Sequence, residues 1–309
     1  MTGTSGSDRR AGRRPAGAAA VVTAALRLFG RAADPAGRRE SASLGALPST
    51  PAPPLEVMTF NLRRASRGKP DGWAARRPVM SALLHRAAPH VIGTQEGRRR
   101  QLRDVGADLG PHYDRIGVPR AGRDDEAVAV FWDTRRLVPT AHEHFWLSDT
   151  PAVRGSDTWG GGHPRMVTWV RFRDLWDAGR EFVVLNTHLD DASRYARVRA
   201  AALIAERIAR FDPALPLLLT GDFNAVAHDG AVHGTLLAAG LVDTWDTARA
   251  REGAYATFHG YGPLVPGGDR IDWILATPGV TVHRAWTDTF AVDGRYPSDH
   301  LPVRATVSL

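Results

Sequence analysis

The sequence predicts an α/β protein whose β-sheet is mixed and mainly antiparallel. Four apolar runs each stop at polar residues, at positions 57–61, 90–96, 182–190 and 217–224. Two later runs reverse that order and begin with the polar residues, at positions 272–275 and 298–303. If all six polar clusters meet at one rim, the last two strands must run opposite to the first four. That arrangement excludes an all-parallel doubly wound sheet.

The first half of the folded region alternates strands with helices. Residues 55–60 form the first strand, and residues 73–88 place apolar side chains at helical spacing until Pro89 ends the helix. A second helix follows Glu96, after the strand at 90–93. Alternating apolar residues then predict two strands around a long Gly-rich loop near the site, with strands at 127–132 and 166–172 and the loop at 148–164.

The second half continues the same pattern. An apolar strand at 182–185 leads to an amphipathic helix at 195–211, and three leucines at 217–219 predict a strand buried on both faces. A shorter helix covers 232–239. The remaining segments are a Gly-rich, aromatic loop at 255–268, which is another candidate substrate loop, and closing strands at 271–276, 280–285 and 301–307.

The chain divides into an extension and one domain. Residues 1–54 are rich in Ala, Arg, Gly and Pro, which predicts a disordered extension, and residues 55–309 form the catalytic domain. Residues 18–26 are apolar and follow paired arginines. They suit either a short amphipathic helix or a weak signal-peptide core, so we expect a cytoplasmic protein with export left open. No stretch reaches the apolar length that crosses a bilayer.

The positive charge is concentrated in the extension. The chain carries a formal net charge of +7, but residues 1–50 hold eight arginines against three acidic residues, a net +5. The other 259 residues carry only +2. Bulk charge therefore gives little support for a polynucleotide partner. The chain has no cysteine, which excludes disulfides, zinc–thiolate sites and cysteine nucleophiles.

Two oxygen-bearing side chains at strand ends predict a metal site. Glu96 and Asn61 supply the carboxylate and amide oxygens that suit Mg²⁺ or Mn²⁺. Asp299 offers a further oxygen ligand, or a group that aligns a metal-bound water. A glutamate in the position of Glu96, taken alone, is more often a neighbour of a helix N-cap. The five other polar clusters favour its interpretation as a metal ligand.

The remaining clusters supply groups for proton transfer and phosphate binding. Asp222 is placed on a rigid strand end and is predicted to orient or activate the attacking water. Asn224 and His188 are predicted to donate to phosphoryl oxygens. Asp272 and His300 form a carboxylate–imidazole pair that fixes the imidazole tautomer. By itself, the Gly-Asp sequence at 221–222 is more often an ordinary turn.

Taken together, these motifs resemble the endonuclease/exonuclease/phosphatase superfamily. The resemblance covers residues 55–309 and rests on six motifs in the family's order, at 59–61, 95–96, 186–189, 221–224, 270–272 and 298–300. It implies a four-layer α/β sandwich, in which two mixed, mainly antiparallel sheets pack face to face with helices outside. It also implies a divalent-metal-dependent phosphoester hydrolase that activates water for in-line attack on phosphorus.

The resemblance assigns the same roles to the same residues. It implies that Glu96 is the metal ligand with Asn61 as its neighbour, and that Asp299 is a further carboxylate on the metal side. It gives Asp222 the water-orienting role and pairs Asp272 with His300. The phosphate contacts are then Asn224 and His188.

The sequence does not identify the substrate. Near-neutral charge favours a small-molecule or lipid-headgroup phosphoester, while a nuclease acting on single-stranded RNA or DNA is the alternative. Arg165 is equally suited to a substrate contact and to a surface salt bridge. Arg98, Arg99 and Arg100 suit a solvated face or a phosphate-facing rim. We expect a monomer with no stable membrane insertion.

Two other classes compete with this prediction. A dinuclear calcineurin-like metallophosphoesterase would use a different histidine and aspartate set, comprising His188, Asp190, Asp222, His228 and His300. A non-catalytic binding module would use the same cleft for recognition alone. The sequence lacks the Asp-x-His and Gly-Asn-His motifs that a calcineurin-like enzyme would have. A binding module would not explain why every catalytic position is filled.

Overall fold

The computed structural model describes residues 52–66 and 70–309. The strands within these residues are β1 (Leu55–Asn61), β2 (Val91–Gly97), β3 (Tyr113–Pro119), β4 (Ala127–Asp133), β5 (Leu137–Trp146), β6 (Met166–Asp174), β7 (Arg180–His188), β8 (Leu217–Asp222), β9 (Val242–Asp243), β10 (Ala250–Glu252), β11 (Asp272–Ala276), β12 (Thr281–Thr287) and β13 (Val303–Ser308). The helices are α1 (Trp73–Ala87), α2 (Arg99–Leu109), α3 (Arg194–Ile208), α4 (Ala231–Ala238) and α5 (Thr244–Thr247).

The strands form two mixed sheets that pack face to face. One sheet has the order β10-β12-β13-β1-β2-β4-β3, and the other has the order β5-β6-β7-β8-β11-β9. Helices α1 and α2 pack on the outer face of the first sheet, and α3 and α4 pack on the outer face of the second. The predicted four-layer sandwich is therefore confirmed.

Side-chain alternation explains why the strands read as continuous apolar runs. On β1, Val57 points into the core between the two sheets, while Met58 and Phe60 point towards α1. On β7, Val184 points between the sheets and Val183 points towards α3. Because both faces of each central strand are buried, alternation along the strand does not appear as alternation of polarity.

The predicted strand directions are also confirmed. β1 pairs in parallel with β2, and β7 pairs in parallel with β8. β13 runs antiparallel to β1, and β11 runs antiparallel to β8. The six polar clusters, however, come from two sheets rather than one, which the sequence pattern does not distinguish.

Four strands were not predicted: β3, β5, β9 and β10. Each lies at the edge of its sheet, where one flank and much of one face stay exposed. β5 is interrupted by a register shift between Pro139 and Ala141. Edge strands carry polar residues and irregular pairing, so their apolar periodicity is weak.

Most of the predicted extension lies outside the described residues, including the apolar patch at 18–26. Its last residues belong to the folded domain. The Arg136 guanidinium donates hydrogen bonds of 2.8 Å and 2.9 Å to the carbonyls of Pro53 and Pro54, and it forms a buried ion pair with Asp174. No helix among the described residues is long and apolar enough to cross a membrane.

A glycine allows the two sheets to approach each other. A Cβ at Gly93 would overlap the Thr220 hydroxyl and lie 2.7 Å from Asn186 Oδ1. A buried polar network fills that space, because Gln95 Nε2 donates to Asn186 Oδ1 over 2.7 Å and Asn186 Nδ2 donates to the Thr94 carbonyl over 2.9 Å. These bonds join strands β2 and β7 across the sandwich.

We expect Gly93→Ala to lower the free energy of unfolding by roughly 3 kcal/mol, because the added methyl group forces apart a close-packed and hydrogen-bonded contact. Urea denaturation measures the change. The control is Gly122→Ala, where nothing lies within 4 Å of an added Cβ. Equal unfolding midpoints for the two variants would contradict this account of sheet packing.

A second expectation concerns acid stability. Burial, followed by the nearby charge of Arg136, lowers the pKa of His90 to about 4. The unfolded chain takes up this proton from about pH 6.5 downward, so stability should fall as the pH drops from about 6.5 to about 4. The ring is partly exposed, and solvent screening limits the contribution to roughly 1 kcal/mol.

Thermal denaturation between pH 4 and pH 7 checks this expectation. His90→Gln should flatten the pH dependence across that window, while His85→Gln, at an exposed position, should leave it unchanged. A profile as steep in His90→Gln as in the parent protein would show that other groups cause the acid loss.

Candidate active site

The polar ends of both sheets meet at one rim. Asn61, at the end of β1 in the first sheet, donates through Nδ2 to Asp222 Oδ2 in the second sheet over 2.9 Å. The same nitrogen donates to Glu96 Oε1 over 3.0 Å. These groups border a catalytic cavity of about 540 Å³ whose lining includes Glu96, His188, Asp222, Asn224, Asp299 and His300.

Local backbone geometry aims Glu96 into the catalytic cavity. The pairing of β2 with β4 shifts between Thr94 and Gly97, and Glu96 has φ 63°. An irregularity of this kind redirects a side chain that regular pleating would place elsewhere. A left-handed conformation costs energy for a non-glycine residue, and such strain is typical of functional positions. Glu96 Oε2 accepts a 2.9 Å bond from the Arg64 amide.

The donor set fits a hard divalent cation through Glu96. Its carboxylate is partly exposed to the catalytic cavity, and one or two carboxylates suffice for Mg²⁺ when water and phosphate complete the shell. The predicted neighbour Asn61 directs its amide nitrogen towards Glu96 and Asp222. Its Oδ1 accepts a 2.9 Å bond from the Arg63 amide, which fixes that orientation. In this arrangement Asn61 holds the two carboxylates apart.

Asp222 is the most buried carboxylate of the catalytic cavity, with 1% of its surface exposed. Oδ1 accepts the Asn224 amide over 2.9 Å, and Oδ2 lies 3.5 Å from His188 Nε2. Burial, reinforced by the charge of Asp272, raises the pKa of Asp222 to about 7. A carboxylate in this range can accept a proton near neutral pH.

His188 and Asn224 lie together beside Asp222. Asn224 Nδ2 lies 3.2 Å from His188 Nε2 and donates to the Leu189 carbonyl over 3.0 Å. Burial, with the positive charges of Arg165 and His300, holds the pKa of His188 well below its usual value. His188 is therefore neutral and presents one N–H donor. Asn224 has φ 46°, a second left-handed residue at this rim.

The predicted Asp272–His300 pair is present. His300 Nδ1 lies 2.9 Å from Asp272 Oδ2, and His300 Nε2 lies 3.8 Å from Asp222 Oδ2. Burial opposes a charge on the imidazole, but the two aspartates outweigh it and raise the pKa of His300 to about 10. At neutral pH His188 is thus neutral, whereas His300 is a cation.

Asp299 and Arg165 both lie at the catalytic cavity in ion pairs. Asp299 Oδ2 accepts from Arg63 Nη1 over 2.8 Å, so its role beside the metal stays a prediction. Arg165 is buried and pairs with Asp191 over 2.6 Å, and its Nη1 has no hydrogen-bond partner among the described residues. A buried salt bridge and a substrate contact are therefore compatible for Arg165.

The comparison with known protein families decides which class of enzyme this is. A model described as "Endonuclease/Exonuclease/phosphatase family" matches residues 58–300. The chain belongs to the endonuclease/exonuclease/phosphatase family. Membership makes it a phosphoester-hydrolysing enzyme, and it identifies a different family from the calcineurin-like alternative. A search of curated protein sequences found no match.

Solved structures of this family agree with the fold. A mannosyl-6-phosphatase of Bacteroides thetaiotaomicron is 34% identical, with 82% of this chain and 100% of that chain covered and a TM-score of 0.76. An endonuclease/exonuclease/phosphatase family protein of the same species is 33% identical, with 84% and 98% covered and a TM-score of 0.77. The human Nocturnin catalytic domain, with bound sulfate anion, is 16% identical over 83% and 95%, with a TM-score of 0.64, and shares the fold.

Two residues of the calcineurin-like alternative lie apart from the other three, since only His188, Asp222 and His300 line the catalytic cavity. Asp190 accepts backbone amides of Ala192 and Ser193 ahead of α3, and it pairs with Arg165. His228 lies in another exposed cluster, 3.3 Å from Asp246. Neither Asp190 nor His228 lines the catalytic cavity.

The sequence does not single out several charged residues of the catalytic cavity, which are Arg63, Arg64, Asp191, Glu126 and Arg120. Glu126 is buried and forms an ion pair with Arg120, with 3.0 Å between Oε2 and Nη1. Burial raises the pKa of Glu126. Both residues border the β3–β4 hairpin. Glu126 directly precedes an apolar strand, the same order that marks Asp272, so the pattern could have revealed it. Arg120 carries no such signal because it follows an edge strand whose apolar pattern is weak.

The exposed aromatic Phe258 was also missed. It lines the catalytic cavity, is 50% exposed and lies 4.9 Å from the His300 ring between centroids. It belongs to the Gly-rich loop at 255–268, and an isolated bridge pairs it with His300. The sequence predicts that this loop contacts the substrate, but it does not single out Phe258 as the residue that lines the cavity.

We expect Asp272→Asn to lower kcat by about 100-fold or more, because the amide cannot hold His300 as a cation. Hydrolysis of bis(p-nitrophenyl) phosphate and the NMR titration of His300 measure the two effects. Asp229→Asn, at an exposed position, is the control. A charged His300 at neutral pH in Asp272→Asn would show that the aspartate does not set its protonation.

Proposed function

We propose that the protein is a metal-dependent phosphatase for a small phosphorylated molecule, with Mg²⁺ or Mn²⁺ as its cofactor. The observation that carries the proposal is the catalytic cavity, whose volume of about 540 Å³ suits a small ligand. Four arginines line it and each forms an ion pair, so little unpaired positive charge remains within this cavity: Arg63, Arg64, Arg120 and Arg165.

Glu96 is the residue that holds the cation, with Asp299 as a further candidate. When bound, the cation acts as a Lewis acid on a phosphoryl oxygen and offsets negative charge. Asn61 keeps Glu96 and Asp222 in fixed positions through its two hydrogen bonds. The substrate phosphate is thereby held between the metal side and Asp222.

Asp222 orients the attacking water in this proposal. A proton passes from water to the Asp222 carboxylate while a new bond forms between the water oxygen and phosphorus. The ester P–O bond breaks on the opposite side, and the departing alkoxide takes a proton from solvent. The products are inorganic phosphate and an alcohol. The buried position of Asp222 favours this role, because it raises the affinity of the carboxylate for a proton.

Three donors stabilise the charge that develops on the phosphoryl oxygens. His300 contributes a cation, and neutral His188 and the Asn224 amide contribute N–H groups. Asn224 Nδ2 lies 3.2 Å from His188 Nε2, and His300 Nε2 lies 3.8 Å from Asp222 Oδ2. These contacts hold the donors in place before the substrate arrives. Arg165, whose Nη1 has no partner, is suited to a peripheral phosphate oxygen.

The likeness to a mannosyl-6-phosphatase favours a hexose 6-phosphate as the first substrate to test. Asp191 lies at the catalytic cavity with 64% of its side chain exposed, and it can accept hydrogen bonds from sugar hydroxyls. Phe258 offers an apolar face for the ring.

A second candidate is a nuclease acting on single strands. The half-exposed Phe258 beside His300 favours it, because an aromatic side chain in a phosphate site can stack a base. A base and a sugar ring both suit that face, so substrate comparison separates the two functions.

We expect hydrolysis of mannose 6-phosphate with Mg²⁺ or Mn²⁺, and loss of that activity with EDTA. Asp222→Asn should lower kcat by roughly 1000-fold, because the amide cannot accept the water proton. Asp246→Asn, an exposed carboxylate outside the catalytic cavity, is the matched control. Phosphate release and nuclease assays on single-stranded RNA and DNA provide the measurements.

Activity that survives in Asp222→Asn would contradict the mechanism. Faster cleavage of single-stranded RNA or DNA than of sugar phosphates and phosphoinositides would contradict the proposed substrate class and support the nuclease.

A further inference from the structure

A second cavity, of about 700 Å³, borders the β3–β4 hairpin. Pro119, Ala121 and Ala127 of that hairpin line it, whereas Arg120 and Glu126 line the catalytic cavity. The two cavities therefore share the hairpin as a wall. Four arginines and no acidic residue line the second cavity, which we call the arginine cavity: Arg99, Arg115, Arg123 and Arg154.

These four arginine side chains have no carboxylate partner among the described residues, unlike the arginines that line the catalytic cavity. Within residues 52–66 and 70–309, none of them forms an ion pair, whereas Arg120, Arg136 and Arg165 each pair with a carboxylate. Arg154 donates only to backbone, with Nε 3.1 Å from the Ala121 carbonyl.

The local charge is left unbalanced. The first turn of α2 contains no acidic residue, and the cap residue Arg98 and its successors are basic where the helix dipole already places positive charge. Burial and the charge of Arg103 lower the pKa of Arg115, although Asp114 opposes that effect. Guanidinium groups that line one cavity without ion-pair partners favour a bound anion there, because the anion attracts each of them.

We propose that the arginine cavity binds a phosphate group of a small-molecule ligand. Guanidinium groups form paired hydrogen bonds with phosphate oxygens, and several of them lining one cavity suit a doubly charged group. The ligand is either the substrate itself, through a second phosphate, or a separate phosphorylated molecule. The shared hairpin puts the arginine cavity next to the catalytic one, which is why the substrate itself is one of the two sources. That source rests on the proposed phosphatase function.

Calorimetric titration with inorganic phosphate, in EDTA, tests the site without catalysis. Arg99→Gln/Arg123→Gln removes two exposed guanidinium groups and should weaken phosphate binding about tenfold or more. Arg100→Gln/Arg249→Gln removes the same charge from exposed positions outside the arginine cavity and should bind like the parent protein. Equal affinities of the two double variants would overturn the proposal.

Kinetics separate the two sources of phosphate. If the ligand is the substrate, the kcat/KM ratio of a hexose 1,6-bisphosphate to a hexose 6-phosphate should fall about tenfold in Arg99→Gln/Arg123→Gln, with the monophosphate rate unchanged. An unchanged ratio, together with weakened phosphate binding, would identify a separate phosphorylated ligand.

Two further outcomes keep the hypotheses apart. If the parent protein hydrolyses neither sugar phosphate but the calorimetric difference is present, the proposed function fails and the second anion site stands. If Arg99→Gln/Arg123→Gln loses affinity for single-stranded RNA while its phosphate affinity is unchanged, the arginine cavity is a nucleic-acid contact and the small-ligand proposal is overturned.

Discussion

The catalytic geometry depends on one constraint, which is that two separate sheets end at the same rim. The hydrogen bond from Asn61 Nδ2 to Asp222 Oδ2 spans that junction, and the Gln95–Asn186 bond supports it from below. Gly93 leaves the space for this approach. Because Glu96 belongs to one sheet and Asp222 to the other, any sliding of the sheets would separate these two carboxylates.

The same burial that stabilises the sandwich sets the chemistry of the rim. Low solvent exposure makes each charge depend on its neighbours, so His188 beside cationic groups is neutral while His300 between two aspartates is charged. One imidazole is thus a neutral donor and the other a cation, although the two side chains are chemically identical. Asp222, close to both, holds its proton more tightly than an exposed carboxylate.

The sequence predicted the core more fully than the margins. Central strands such as β1, β7 and β8 are apolar on both faces, so they were recognised with boundaries close to those observed. Edge strands such as β3 and β5 were missed because exposed faces and irregular pairing remove the periodic signal. Glu126 carried a readable pattern, while Arg120 and Phe258 reach the catalytic cavity only through the fold.

The sequence by itself determined the family and the layered α/β class, and it predicted candidate site residues that the structure brings to one rim, because all of these depend on short motifs at strand ends. It also determined the relative strand directions, since polar ends must share one rim. Only the tertiary structure decided that the motifs divide between two sheets, that Asn61 points its nitrogen at the carboxylates, and that the two histidines differ in charge. Those features depend on burial and on distances between segments up to about 240 positions apart in the chain, which no local pattern encodes.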